Sequence, residues 1–416
     1  MIYRVFVILM VLVSTKFFSQ TGTVSPYSFT GVGESLFKGN AINRVMGGLD
    51  VFTDSIHINL NNPTSYGKLK LTAYALGINY SEINLNDNTN KENSRSASID
   101  YLAVAIPTKR FGFGFGIIPF SSVGYKIKSE TPKNGVINQF NGEGGINKAF
   151  LSVGFELASF FSIGGTINYN FGKIKSLVYQ SNEEIDSGTF LENISDYSGL
   201  DYSLATNFTF IIGEKVEIQS FFAFSPTNKL VSKNQRVFYT RSKSSGSIGD
   251  YRTIDLESLN LDENKVTTFS KIDFGLGFGQ RYKWSIGSQY TYLNASGFNN
   301  EFMVFDNLKY SSGSKFSFGG FYIPNYLSIS NYWNRVVYRA GIRIEKPGIL
   351  INNNFFHENA LSFGMSLPLA MYSSATLAFE IGNRKIKNSK YFKEIFWSVR
   401  VGLSLTDFWF IKRKYN

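Results

Sequence analysis

The sequence predicts an all-β protein, a transmembrane antiparallel β-barrel of about fourteen strands with an N-terminal plug, or hatch. Three observations carry this. Period-two alternation of apolar and polar residues recurs from residue 69 almost to the C-terminus. Short connections and long polar ones take turns between the alternating runs. No apolar run after the N-terminus approaches the length of a membrane helix, so any crossing of a bilayer is made by strands. Composition agrees: of 416 residues 38 are Gly, 24 Tyr and 40 Phe, and 43% are hydrophobic. Cysteine is absent, which removes disulfide frameworks, thiolate metal sites and cysteine nucleophiles together.

The first twenty residues, "MIYRVFVILMVLVSTKFFSQ", place Arg4 before an apolar stretch and end in Ser19 and Gln20. That is the layout of a secretory signal peptide, assigned to residues 1–20. The formal charge of +11 falls to about +9 once Arg4 and Lys16 are removed. Dispersed Lys and Arg of this kind suit outer-membrane lipids and lipopolysaccharide phosphates as partners, and no compact basic run points to nucleic acid.

Residues 21–68 do not alternate. They are rich in Gly, Asn and Ser, with short helical pieces expected around Gly39 to Gly48 and Asn62 to Tyr66. Some forty-five residues before the first strand are too many for a tail, and this composition suits a hatch that meets a polar lumen. The barrel is assigned to residues 69–416. In "FSIGGTINYNFG" Phe161, Ile163, Ile167, Tyr169 and Phe171 oppose Ser162, Thr166, Asn168 and Asn170; "WSIGSQYTY" and "ENALSFGMSLPL" repeat the pattern. Tight turns are expected at "PTKRFG", "ASFF", "GEK" and "RYK", and long outside loops at "SEINLNDNTNKENSRS", "KSETPKNGVINQFNGEGG", "QSNEEIDSGTFLENISDYSG" and 232–265. Two connections, "IPNYLSISNYWNR" and "PLAMYSS", are longer than tight turns.

In the last run, "IFWSVRVGLSLTDFWF", Trp397 and Leu403 are assigned to lipid and Arg400 to the interior. Trp409, Phe410 and Tyr415, beside Lys412, Arg413 and Lys414, form a rim girdle. A Lys or Arg facing lipid at mid-depth costs about 2–4 kcal/mol. Charges in phase with the polar face therefore point into the lumen: Lys148, Glu156, Asp201, Glu217, Lys271, Asp273, Arg339, Arg343, Glu345, Glu380 and Arg400. Lys148 with Glu156, or Arg339 with Glu380, are candidate pairs, and Phe221 and Leu293 are the few apolar residues on that face.

In "RFGFGFGIIPFSSVGY" the side chains of Phe111, Phe113, Phe115 and Ile117 share one face, leaving Gly112, Gly114 and Gly116 on the other. Glycine weakens a strand unless something comes close, so the hatch or a ligand chain is expected against this ladder. Pro119 removes a ladder hydrogen bond and, with Gly124, marks a bulge or kink. That kink serves either a lateral opening or barrel closure alone.

Several motifs resemble a known family: Met46, Gly47 and Gly48; "NNPTSYGKL" with Asn62 and Pro63; and "FGFGFGIIPFSSVGY". They resemble the long-chain fatty acid transporter (FadL-like) family in the form found among Bacteroidota. The family's Asn-Pro-Ala stands here as Asn62, Pro63 and Thr64. The resemblance implies a fourteen-stranded barrel plugged by an N-terminal hatch in the bacterial outer membrane, and import of hydrophobic small molecules with no cofactor. Capture is then expected at aromatic residues of the outside loops, Phe190, Tyr251, Phe302 and Phe305.

An enzyme is not expected. The two histidines are His57, beside Asp54 and Ser55, and His357, placed in an outside loop. No nucleophile elbow accompanies either, Glu183 and Glu184 read as a solvated loop pair, and no segment has metal-ligand spacing. The functional expectation is passive uptake of hydrophobic compounds such as fatty acids. The rival is a non-transporting barrel subunit of a larger outer-membrane assembly for secretion or protein insertion, with other outer-membrane proteins as partners. Mixed-sign lumenal charges and few inward apolar residues favour the rival. A soluble β-sandwich is a third reading.

Overall fold

Alternating side chains, unable to share one environment, build a closed wall with an apolar outside and a polar inside. The structure is a computed structural model that describes residues 22–87, 90–128, 135–213, 215–303, 307–386 and 393–407. The assigned signal peptide, Phe305 and the C-terminal girdle from Trp409 to Tyr415 lie outside the described residues.

Fourteen antiparallel strands form the barrel. They are β1 Thr72–Asp87, β2 Asn90–Pro107, β3 Phe111–Lys128, β4 Val136–Ala158, β5 Phe161–Asn182, β6 Ser187–Ile212 and β7 Val216–Ser225, which continues as Lys229–Ser242. The pieces Ile248–Thr253 and Glu263–Thr267 run back beside β7 into β8 Ser270–Gln280. Then follow β9 Trp284–Asn294, β10 Ser312–Tyr322, β11 Val337–Lys346, β12 Asn354–Pro368, β13 Ser374–Ile386 and β14 Lys393–Asp407. Pairing of β1 with β14, from Thr72 opposite Asp407 to Asn86 opposite Lys393, closes the ring. The faces divide cleanly: on β8, Ile272, Phe274, Leu276 and Phe278 are exposed on the outside while Asp273 is buried inside.

The segments expected as long outside loops are, among the described residues, mostly strands. "SEINLNDNTNKENSRS" belongs to β1 and β2, paired from Ser81 opposite Ser96 to Asp87 opposite Asn90. The other polar segments are likewise largely paired, from Val136 onward in the second and throughout the strands of the third, while 232–265 keeps two loops, at 243–247 and 254–262, between its paired pieces. Beyond the lipid the outward positions no longer need apolar residues, so the hydrophobic contrast fades while the ladder continues. As a result β6 has 26 residues where β9 has 11, and a bilayer needs only about 9–11. Phe190, Tyr251 and His357 consequently lie on strands, not in loops, and Phe302 is 4% exposed, unavailable for capture. The tight turns stand where expected, at the opposite end.

One part of the wall is discontinuous. β2 and β3 pair only from Leu102 opposite Ile117 to Pro107 opposite Gly112. Above that point the edge of β3 is met by residues Glu34 and Ser35, opposite Ser122 and Ser121. The β3 irregularity falls between Pro119 and Ser121, against β4. The kink expected from Pro119 with Gly124 therefore lies beside Pro119, at Phe120, while Gly124 is in regular register opposite Glu143.

Candidate functional site

The first strand starts at Thr72, and residues 22–71 lie against the inward face of the wall. Two short helices give the segment its shape. Asn40 caps Ala41–Val45 through Oδ1, which accepts from Asn43 N at 3.0 Å. Gly47 and Gly48 then end that helix at φ of 73° and 80°, a left-handed exit that side-chain-bearing residues resist. Asn62 Oδ1 accepts from Thr64 N and Oγ1 (3.1 and 2.6 Å) and leads into Ser65–Lys68.

The segment touches the wall where the wall has no side chains. The Met46–Gly47 turn lies on Gly319 and Gly341, where a Cβ would strike its backbone. Pro63 and Thr64 lie on Gly154 and Gly164, and Tyr66 on Gly112 and Gly114. Gly116 differs, facing Leu102 and the Phe150 ring within the wall. The inward Phe221 packs with Met46, Leu49 and Val51. Tyr66, Ile58 and Leu60 fill a second patch with Tyr101 and Phe150. The interior's apolar surface is thus covered by the chain's own N-terminus.

Between these patches runs a buried ion network. Arg44 donates from Nε and Nη2 to both oxygens of Glu380, each at 2.9 Å. Arg343, 1% exposed by its side chain, reaches Glu358 at 2.5 Å and Glu380 at 3.2 Å. Lys38 bridges Glu345 and Glu358 at 3.0 and 2.7 Å. Arg384 joins Glu358 (3.0 Å), Glu394 (3.3 Å) and Glu34. Arg400 meets Asp100 at 3.2 Å and Glu380 at 3.6 Å. Asp100 is the extra residue of a bulge between β1 and β2. Near balance of sign lets so many charges share a buried interior, because each removed from bulk water is repaid only by close partners.

Two pairings expected from sequence are not those observed. Lys148 binds Asp201 at 2.7 Å; Glu156 lies eight residues along the same strand, about 26 Å away. Arg339 donates to Ser366 Oγ at 2.5 Å and lies over the Phe321 ring, while Glu380 is taken by Arg44 and Arg343. Sequence reading also missed Glu34, Lys38, Arg44, Glu358, Arg384 and Glu394. Strand phase was a sufficient signal for three of them: Glu358 is in step with Ala360, Arg384 with Glu380, and Glu394 with Arg400.

At the short-turn mouth, Lys68 Nζ donates to Thr53, Asn207 and Thr209 at 3.1, 2.9 and 2.7 Å. His57 contacts Asp54 through Nδ1 at 2.7 Å and Ser374 through Nε2 at 3.2 Å. Asp54 is about half exposed, and the His57 ring together with the N–H groups of Ile56 and His57 holds its carboxyl below the ordinary range. Ser374 is buried at the start of β13, so this row fastens the segment to the mouth rather than presenting a nucleophile. Among the described residues no cluster of three or more His, Asp or Glu is arranged for a metal ion.

Among the described residues, two cavities border the N-terminal segment: about 90 Å³ beside Tyr27, Lys38, Phe269 and Phe356, and about 40 Å³ behind the β2–β3 gap, beside Ser96, Ser98 and Asp100. Larger hollows, about 410 and 550 Å³, lie among outward side chains such as Leu361 and Ile381, or Phe155 and Phe222.

The chain shares its architecture with outer-membrane channels. The toluene transporter TodX of Pseudomonas putida aligns with a TM-score of 0.59 and 13% identity, over 88% of this chain and 98% of that one. The toluene transporter TbuX of Ralstonia pickettii gives 0.56 and 11%, over 89% and 98%. A Pseudomonas aeruginosa FadL homologue gives 0.53 and 12%, over 90% and 98%. At such identities the likeness is one of fold, and fold alone does not carry function. No curated protein matches the chain. A family model described as BamG matches residues 1–416, its whole length, and the chain therefore belongs to the BamG family.

Proposed function

We propose that this protein is a sealed outer-membrane barrel that serves as a structural subunit of a larger assembly for protein insertion or secretion. The observation that carries this reading is the occupied interior. The N-terminal segment is seated on wall glycines, covers the inward apolar patches and is tied in by the Arg44–Glu380 and Lys38–Glu358 ion pairs. Sites for small ligands enclose roughly 300–1,000 Å³, well above the two cavities of about 90 and 40 Å³ that border the segment among the described residues. The BamG match over the whole chain agrees with it. The test is native mass spectrometry of protein extracted gently from its own outer membrane. A stoichiometric protein partner without an acyl ligand is expected; a bound acyl chain without a partner would overturn the reading.

The second reading is passive uptake of hydrophobic compounds, fatty acids among them. The broken β2–β3 ladder favours it, since an apolar ligand leaving the lumen sideways needs such a gap, and so does the fold shared with toluene transporters. It requires residues 22–36 to leave the gap.

A further inference from the structure

The short-turn end carries a feature that the sealed lumen does not use. Turns there are tight at 108–110, 159–160 and 281–283, yet β10 and β11 are joined by residues 323–336. This long connection is held by its own asparagines. Asn325 N donates to Asn334 O at 2.8 Å, closing a neck. Asn325 Oδ1 accepts from Leu327 N at 3.1 Å, and Asn331 Oδ1 accepts from Trp333 N at 3.0 Å. The loop spreads over both neighbouring connections: Tyr326 stacks on Tyr282 of the β8–β9 turn at 4.9 Å, and Tyr332 Oη donates to Pro368 O of the β12–β13 connection at 3.1 Å.

On the far side of the neck the loop holds out Ile329, 98% exposed, Leu327, 69%, and Trp333, 59%. Outward Tyr322 and Tyr338, the last ladder pair before the neck, already supply the aromatic level expected at a membrane interface. Apolar tips fixed beyond that level face water unless a partner covers them. The loop and the two connections it touches also carry basic charge, with the exposed Asp54 close by through the His57 contact to Ser374. Residues 281–283, 323–336 and 368–373 contain Arg281, Lys283 and Arg335 and no carboxylate; Arg281 is engaged by Glu217 at 3.3 Å, which leaves Lys283 and Arg335 at the flanks.

We infer that this rim is a docking surface for a folded protein partner presenting an apolar pocket edged by carboxylates, with Ile329 and Leu327 as its anchors. The inference rests on the assembly reading and names where the assembly attaches. Apolar residues held in a fixed loop act as interface anchors because little ordering remains to be lost on binding. Basic flanks select an acidic rim.

The experiment places a photoreactive benzophenone side chain at position 329 of the full chain in its own outer membrane, with position 361 on the lipid-facing wall as control. Position 329 should give one discrete protein adduct and position 361 none. In parallel, Ile329→Asp should lower the co-purifying partner about tenfold, and Lys283→Glu with Arg335→Glu should lower it as well. Heat-modifiable migration of the barrel should stay unchanged in both variants. Adducts to lipid alone, to a second copy of this chain alone, or no adduct would overturn the proposal. Native mass spectrometry of the unmodified protein separates the failures: an intact complex without a 329 adduct refutes this surface and leaves the assembly reading standing. A bound acyl chain without a complex refutes both.

Discussion

Glu380 shows at the scale of one residue why the interior is closed. It receives Arg44 at 2.9 Å, Arg343 at 3.2 Å and Arg400 at 3.6 Å, so its loss leaves three guanidinium groups facing one another in a buried space. Glu380→Ala should cost about 3–5 kcal/mol in urea unfolding. Lys173→Ala, in an exposed pair with Asp196, should stay within about 1 kcal/mol; equal losses would mean that the network is not shielded from bulk water. Gly341 makes the steric argument, since any side chain there meets the Met46–Gly47 turn. Gly341→Val should unseat the segment, so that trypsin cuts after Lys38 and Arg44 while the strands stay protected; unchanged protection would contradict the seating. Strand phase identified Arg343, Glu380 and Arg400 as inward. It could not give their partners, because those depend on strand tilt and on a segment, 22–71, whose own pattern has no period.

Among the elements, the strands were legible wherever lipid imposes contrast, as in β5 and β9. They were not legible in 81–96 or 180–199, where the outward positions are free of lipid and inward ones such as Ser96, Ser181 and Ser195 are small and polar, so the contrast between faces is lost. The glycines of β3 pointed to a close approach, and Tyr66 makes it at Gly112 and Gly114. That Glu34 and Ser35 would replace β2 along the β3 edge left no mark in the sequence, since two residues are too few for a pattern. This pairing offers a test. Ser35 and Ser121 are Cα partners in an antiparallel bridge, a spacing of about 4.5–5.5 Å that suits a disulfide. Ser35→Cys with Ser121→Cys should cross-link in an oxidising periplasm, and the locked protein should keep its native complex. Loss of activity that returns on reduction would show that the segment must leave the gap, as the channel reading requires.

For the whole molecule, one architecture serves two ends. The wall is that of the toluene transporters TodX and TbuX; the interior is filled, and the strands β4 to β7 extend well past the height a bilayer demands. On the assembly reading proposed above, the barrel is a fixture in the membrane rather than a passage through it, and its working surfaces are the ends. The most direct measurement is conductance in a planar lipid bilayer, comparing a chain that starts at residue 21 with one that starts at residue 69. The intact barrel should show no resolved ion-conducting steps, and the truncated barrel, if it reconstitutes with heat-modifiable migration, should show steady open-channel steps. Frequent steps from the intact chain, at the amplitude of the truncated one, would contradict the account.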